Sequence, residues 1–323
     1  MPDLPIATIA IGAEPDKPPG LTRRFFLYGE NYLVPRLSSE SALFGTYVQT
    51  IRLREVSFVD LPVWQIIVLA IVQGVAEFLP ISSSGHLVVL ATLLDADADH
   101  FDLVGLNIVL HAGTLGSILV VYRQQLYEAL TKDRRLLLLL VVATIPAVIA
   151  ALVLKATDTD SLLESPLVAG ICFLVTGTIL LLSQRLPQTE RTYEQTSWSQ
   201  AWWIGCAQAL AILPGISRSG STICSGQALG LSREGAATFS FLMAVPAILG
   251  AITLKVAKSI GDWDHASKTP AWLLLLGAAI SFVVGWFSLV LLIKVVQRGR
   301  LHWFAWWCFA VGLFVIAWQA TID

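Results

Sequence analysis

Residues 61–94 read LPVWQIIVLAIVQGVAEFLPISSSGHLVVLATLL, thirty-four positions with a single charge, Glu77, near the middle. A bilayer-spanning helix takes about 20 mostly apolar residues. The stretch is therefore too long for one comfortable span and too short for two spans and a loop. Its centre, Pro80-Ile-Ser-Ser-Ser-Gly85, breaks a helix, because proline lacks an N–H and Ser and Gly favour turns. Broken backbone at membrane depth is tolerated only where protein shields it or it lines a cavity. These residues read as a re-entrant helical hairpin with its tip inside the membrane. A second stretch repeats the design: between Glu194 and Arg233, residues 195–232 hold only Arg218, and their centre is Pro214-Gly-Ile-Ser-Arg-Ser-Gly220. Leu79-Pro80 followed by Ile81-Ser-Ser-Ser-Gly85 matches Leu213-Pro214, one extra Gly215, then Ile216-Ser-Arg-Ser-Gly220.

Around these hairpins lie uncharged apolar runs of spanning length: Leu103–Tyr122, Leu136–Leu154, Ser165–Gln184, Gly235–Leu254, Thr269–Ile293 and Trp303–Ala320. Six spans are expected, three after each hairpin. The chain of 323 residues is 55% hydrophobic and 14% charged, with a mean hydropathy of +0.71. A soluble domain is about 25% charged, so these charges are too few to coat a soluble globule. Disorder, a disulfide scaffold, a coiled coil and a cytosolic enzyme are disfavoured. Indole rings favour the membrane interface, and Trp198, Trp202, Trp203, Trp303, Trp306, Trp307 and Trp318 sit near run ends. The net charge of −2 gives no sign of a nucleic-acid partner. Cys172, Cys206, Cys224 and Cys308 lack metal-ligand spacing and read as small apolar packers.

Residues 1–60 hold six Lys/Arg and seven Asp/Glu and no long apolar run. They read as a polar N-terminal extension, disorder-prone around Pro15–Gly20, and the membrane domain as 61–323. The fold class expected is an all-α integral membrane protein of two inverted repeats, each a re-entrant hairpin plus three transmembrane helices. An odd number of spans per repeat forces the inversion, which places a binding site near the midplane. If the basic loop Arg123–Arg135 is cytoplasmic, span counting puts Arg185, Arg191, Arg233, Lys294, Arg298 and Arg300 on its side. The acidic loops Asp95–Asp102 and Asp158–Glu164 then fall outside, while Lys255, Lys258, Lys268, Arg52 and Arg54 go against the rule. Both termini would be outside, and the hairpins would enter from opposite faces and meet.

Glu77 and Arg218 are the charges set deep in apolar sequence, where each costs about 2.5–3.5 kcal/mol even on a lenient insertion scale. A structural Glu–Arg pair joining the hairpins is one reading. The other is functional, because both charges sit beside Ser- and Gly-rich breaks that open new helices at Ser82–Ser84 and Ser217–Ser221. A helix N-terminus with Ser hydroxyls and an Arg receives phosphate, and two such tips face to face suit a diphosphate. The phosphate-binding candidates are Ser82, Ser84, Gly85, Ser217, Ser219, Gly220 and Thr222. His86, beside Ser83 and Glu77, is a candidate acid–base group. His111, four residues after Asn107, reads equally as a supporting polar partner or a helix–helix hydrogen bond. Asp95, Asp97, Asp99 and His100 alternate with Ala as in a solvated turn.

The run Gln73-Gly-Val-Ala-Glu77-Phe-Leu-Pro-Ile-Ser-Ser-Ser-Gly-His86 resembles the (E/Q)xxxE and SS(S/T)GH signatures of the bacterial undecaprenyl-diphosphate phosphatases, the bacitracin-resistance family. Pro214-Gly-Ile-Ser-Arg-Ser-Gly-Ser-Thr222 is similar, position by position, to that family's PGxSRSxxT signature. The resemblance covers residues 62–320 and leaves the extension out. It implies a multi-pass enzyme of the bacterial plasma (inner) membrane that removes the terminal phosphate of undecaprenyl diphosphate, recycling the lipid carrier for cell-wall synthesis and conferring bacitracin resistance. It also implies a divalent cation, Mg²⁺ or Ca²⁺, and a site opening to the outer face. Carried over, Glu77, Ser83, His86 and Arg218 are the catalytic candidates, and Glu77 with Gln73 the metal candidates. Gln73 stands where the pattern also allows Glu, so a metal would lean on Glu77 and substrate oxygens. Either Ser83, with His86 as base, or an activated water would attack. The partners implied are a prenyl diphosphate lipid and the bilayer, and a homodimer is compatible with both. A secondary transporter or lipid-phosphate flippase on inverted repeats is the alternative, and an intramembrane serine protease a weaker one.

Overall fold

The computed structural model describes residues 25–27, 33–35, 63–93, 103–157, 160–261 and 270–321. The Pro15–Gly20 stretch and the Asp95–His100 turn lie outside the described residues. The chain divides into two compact units, Met1–Asp60 and Leu61–Asp323. In the first, β1 (Phe25–Leu27) pairs antiparallel with β2 (Leu33–Pro35), Phe26 opposite Val34.

The regular structure of the second unit, among its described residues, is all helical. Hairpin 1 is α1 (Val63–Ala76) and α2 (Ser83–Leu93). It is followed by α3 (Leu103–Val121), α4 (Arg123–Thr131), α5 (Arg134–Ala156), the short α6 (Asp160–Leu163) and α7 (Pro166–Leu182). Hairpin 2 is α8 (Trp198–Leu210) and α9 (Arg218–Ala228), followed by α10 (Arg233–Gly261), α11 (Ala271–Gln297) and α12 (Trp303–Gln319). At about 1.5 Å per residue, each hairpin helix is far shorter than the roughly 30 Å of a hydrocarbon core.

The helix starts follow from local chemistry. The Asp133 carboxylate accepts from Leu136 N–H at 3.0 Å, and Ser165 precedes Pro166 and accepts from Val168 N–H. Ser197 and Gln200 form a reciprocal capping box ahead of α8. What holds the interior is not polar. On α5, Leu136, Leu139, Leu140, Ala143 and Pro146 are buried, while Leu138, Val141, Val148, Ile149, Leu152 and Val153 are exposed. Large apolar side chains continuously exposed along a helix are at home only in lipid.

Four described helices are long and apolar enough to cross a membrane: α5, α7, α10 and α11. α3 qualifies only together with α4, to which it is bent by 78°, and α12 has 17 residues. Six helices stand where six spans were expected. α7 reaches spanning length together with the 3-10 turn Ser183–Arg185 that continues it, whereas the chain bends at Tyr122 after α3 and a turn precedes α12. The charged segment Arg123–Arg135, read as a loop, contains the amphipathic α4, whose polar side carries the charges.

Packing partners cross between the halves: α1 lies on α11 as α8 lies on α5, α3 touches α10, and α7 touches α12. Small residues bring the backbones together. A Cβ on Gly113 would come within 2.4 Å of the Ala278 carbonyl, and one on Gly205 as close to that of Ala143. Ser117 and Ser281 add hydrogen bonds to the Phe282 and Leu110 carbonyls. One end of the unit gathers polar residues of four segments around a cavity of about 680 Å³, including Gln125, Gln188, Tyr193, Arg233 and Gln297. α3 leads from the open end of hairpin 1 toward this end, and hairpin 2 starts from it.

Candidate active site

The two tips share one local design. After Pro80 the chain turns through Ser82 at φ 67°, and its hydroxyl accepts from Gly85 N–H at 3.3 Å and lies 3.3 Å from Ser84 Oγ. After Pro214 it turns through Gly215 at φ 91°, and the Ser217 hydroxyl accepts from Gly220 N–H at 3.1 Å and lies 3.2 Å from Ser219 Oγ. A left-handed conformation costs a non-glycine residue about 1–3 kcal/mol. Ser82 is held there by a bond across the molecule, from Gly215 N–H to its hydroxyl at 3.1 Å. The tips therefore touch. A Cβ on Gly85 would sit 2.7 Å from Gly215 N and 2.7 Å from Phe173 Cζ. Backbone cannot give way there. Gly85→Ala is accordingly expected to lower the unfolding temperature in detergent by roughly 5 °C or more; an unchanged thermal melt would show the tips free to part.

Two side chains, one from the first position of each tip helix, close on one carboxylate. Ser83, opening α2, donates to Glu77 Oε2 at 2.9 Å, and Arg218, opening α9, donates from Nη2 to Glu77 Oε1 at 2.8 Å. Gln73, one helical turn before Glu77, donates from Nε2 to Oε2 at 2.9 Å. His111 Nε2 stands 3.6 Å from the same oxygen, and its Nδ1 is 2.8 Å from the Asn107 carbonyl. Of the two readings of His111, its place beside the carboxylate selects the supporting one. Glu77 is 8% exposed and Arg218 half-buried, so the pair sits where charges interact strongly and neither is tolerated alone. Two buried atoms of this cluster have no partner: Arg218 Nη1 and Gln73 Oε1. A guanidinium N–H waiting beside its own ion pair is a donor for an anion.

His86 is not with Ser83. Its Nδ1 is 2.7 Å from the Ser82 carbonyl, and its Nε2 accepts from Trp307 Nε1–H at 3.0 Å. The indole of Trp307, 53% exposed, stacks on the imidazole at 6.1 Å, and Phe173 meets it edge-on at 4.9 Å. The serine's hydrogen-bond partner in this structure is Glu77. Among the other expected phosphate-binding residues, Ser84 is exposed beside the tip, and Ser217 and Ser219 are buried. The Thr222 hydroxyl is turned back to the Arg218 carbonyl at 2.7 Å and to Ser240 Oγ. It therefore braces α9 against α10. Trp307 reads from the sequence only as an interface tryptophan, and Thr176 carries no signal there. Thr176 props tip 2 through the Gly215 carbonyl at 2.7 Å and Ser217 N–H at 3.0 Å, and no local pattern signals the site role of either residue.

For a metal, no three His, Cys, Asp or Glu converge among the described residues. The donors at hand are Glu77 and the unpartnered Gln73 Oε1. One carboxylate and one amide oxygen fit a hard cation that takes its remaining ligands from phosphate and water, in the manner of Mg²⁺.

The family model described as "Bacitracin resistance protein BacA" matches residues 66–314. An undecaprenyl-diphosphatase of Rhodopirellula baltica is 49% identical over 252 residues, covering 78% of this chain and 96% of the relative. One of Desulfosudis oleivorans is 41% identical over 269 residues, covering 76% and 94%. One of Desulfatibacillum aliphaticivorans is 36% identical over 275 residues, covering 78% and 97%. Both tips, Glu77 and Arg218 fall inside the matched segment.

Proposed function

Because the chain belongs to the bacitracin resistance protein BacA family, we propose that the cluster of Glu77, Ser83 and Arg218 is its hydrolytic centre. The protein is a multi-pass membrane enzyme that hydrolyses undecaprenyl diphosphate to undecaprenyl phosphate and orthophosphate. The observation carrying the site is the convergence of both tips on one buried carboxylate, with a guanidinium N–H left free beside it.

Breaking a phosphoanhydride requires stabilised charge on the phosphoryl oxygens and a nucleophile held in line. Arg218 offers the first, its Nη1 free for a terminal phosphoryl oxygen, while its Nη2 holds Glu77, which in turn holds Ser83. Ser83, already donating to Glu77, is the nucleophile that this arrangement favours. Its proton passes to the Glu77 carboxylate as Oγ attacks the terminal phosphorus. The bond from phosphorus to the bridging oxygen breaks, and undecaprenyl phosphate leaves with that electron pair. Water then releases orthophosphate from the serine, with Glu77 returning its proton. His86 borders the same tip without touching Ser83, and with its ring held between the Ser82 carbonyl and Trp307 Nε1–H its part is to fix the shape of tip 1. A Mg²⁺ or Ca²⁺ held by Glu77 and Gln73 Oε1 would add positive charge against the diphosphate.

We place the protein in the bacterial inner membrane with its two repeats inverted. The polar end that gathers the Arg123, Arg191, Arg233 and Arg298 segments would face the cytoplasm and the site would open outward. Support comes from the crosswise helix pairing and the shared design of the two tips. The test is purified protein with undecaprenyl diphosphate in detergent, measuring orthophosphate. Release is expected, with EDTA reducing it at least tenfold and Mg²⁺ or Ca²⁺ restoring it. Activity undiminished in chelator would remove the metal. Binding of the lipid with no phosphate released would favour a transporter or flippase.

A further inference from the structure

Gln208 is 4% exposed, and neither atom of its amide has a hydrogen-bond partner. Among the described residues it is the one buried amide with both atoms unpartnered. A buried amide without partners is costly, so this group is built for something that binds there. Its place in the fold says what. Gln200 Nε2, earlier on α8, donates to the Leu229 carbonyl at the end of α9 at 2.7 Å. α8 and α9 are consecutive arms of one hairpin joined at the tip, so they run antiparallel. Eight residues along α8 from Gln200 therefore correspond to eight residues back along α9 from Leu229. That sets Gln208 level with Ser221, one helical turn from Arg218.

The alignment of Leu79-Pro80 with Leu213-Pro214 puts Ala211 where the first tip has Glu77, so the second hairpin carries no carboxylate there, and Gln208 stands about one helical turn before that position. Arg218 Nη1, also buried and unpartnered, opens the adjoining helix.

We propose that Gln208 is a further phosphate-binding residue, its amide N–H donating to a phosphoryl oxygen of the diphosphate beside Arg218. This rests on the diphosphatase reading above. A neutral donor suits that position, because a second carboxylate would repel the anion. The test compares Gln208→Leu with wild type for turnover of undecaprenyl diphosphate, for binding of its non-hydrolysable methylenediphosphonate analogue, and for thermal stability. Losing a hydrogen bond to a charged group is expected to raise KM and weaken analogue binding by about tenfold or more. The unfolding temperature should hold or rise, since an unpartnered polar group is gone. Gln208→Glu should weaken binding further. Unchanged KM and analogue binding in a folded Gln208→Leu protein would overturn the proposal, as would a lowered melting temperature with binding intact. Should the Leu variant not fold, Gln208→Met, closer in shape, is tested in its place with the same outcomes. Wild-type protein that binds the analogue but releases no phosphate would instead refute the hydrolytic reading, and the binding arm would still judge Gln208.

Discussion

Arg218→Ala is expected to lower phosphate release about 10³–10⁵-fold, the range over which an arginine that stabilises phosphoryl charge acts. Its guanidinium has two tasks at once, with Nη2 on Glu77 and Nη1 unpartnered. Lysine has no fork to divide between two anions, so Arg218→Lys should recover little. Truncation also leaves Glu77 buried without its counter-charge, a cost of about 3–5 kcal/mol. Loss of activity through unfolding must therefore be separated from loss of chemistry. The double variant Glu77→Gln/Arg218→Gln removes both charges and should regain much of the stability while staying inactive. A well-folded Arg218→Ala protein with near wild-type phosphate release would refute the site.

Glu77→Gln should reduce kcat by about 10²–10⁴-fold, the usual contribution of a general base, with a smaller effect on stability. The amide preserves shape and can still accept from Arg218, but it cannot take the Ser83 proton across the 2.9 Å contact. Ser83→Ala should cost as much, and combining the two should add little, because residues acting as one unit are not additive. If Ser83→Ala keeps most of the activity while Glu77→Gln does not, water is the nucleophile and Glu77 its base. If neither substitution matters, the carboxylate only glues the hairpins together, the structural role weighed for it at the outset.

The folding plan was legible because its signals are local. Apolar runs of spanning length, Pro-Ser-Gly breaks at their centres and Ser N-caps each act within a few residues, and each produced a helix or a tip where expected. The repeat of the two tips was legible for the same reason, and the structure adds the paired Ser–Gly hydrogen bonds. Glu77 and Arg218 could be chosen from sequence because an isolated charge in an apolar run is costly wherever it sits. The amphipathic α4 escaped notice because a short charged segment between spans carries no sign of whether it coils or winds.

What the sequence alone determined is which apolar segments break at their centres and which charged residues go with the breaks. Which partner each group takes was decided only by the tertiary structure. Ser83 stands three residues from His86, yet it bonds Glu77 while His86 takes Trp307, 221 positions away. That exchange depends on α12 lying along α7 and carrying its indole to tip 1. Thr222, within a phosphate-like signature, is drawn instead to Ser240 because α9 packs on α10. Gln208 becomes notable only once folding has buried it without a partner. Helix and turn preferences act over a few residues, whereas hydrogen-bond partners at a site are chosen by the packing of helices far apart in the chain.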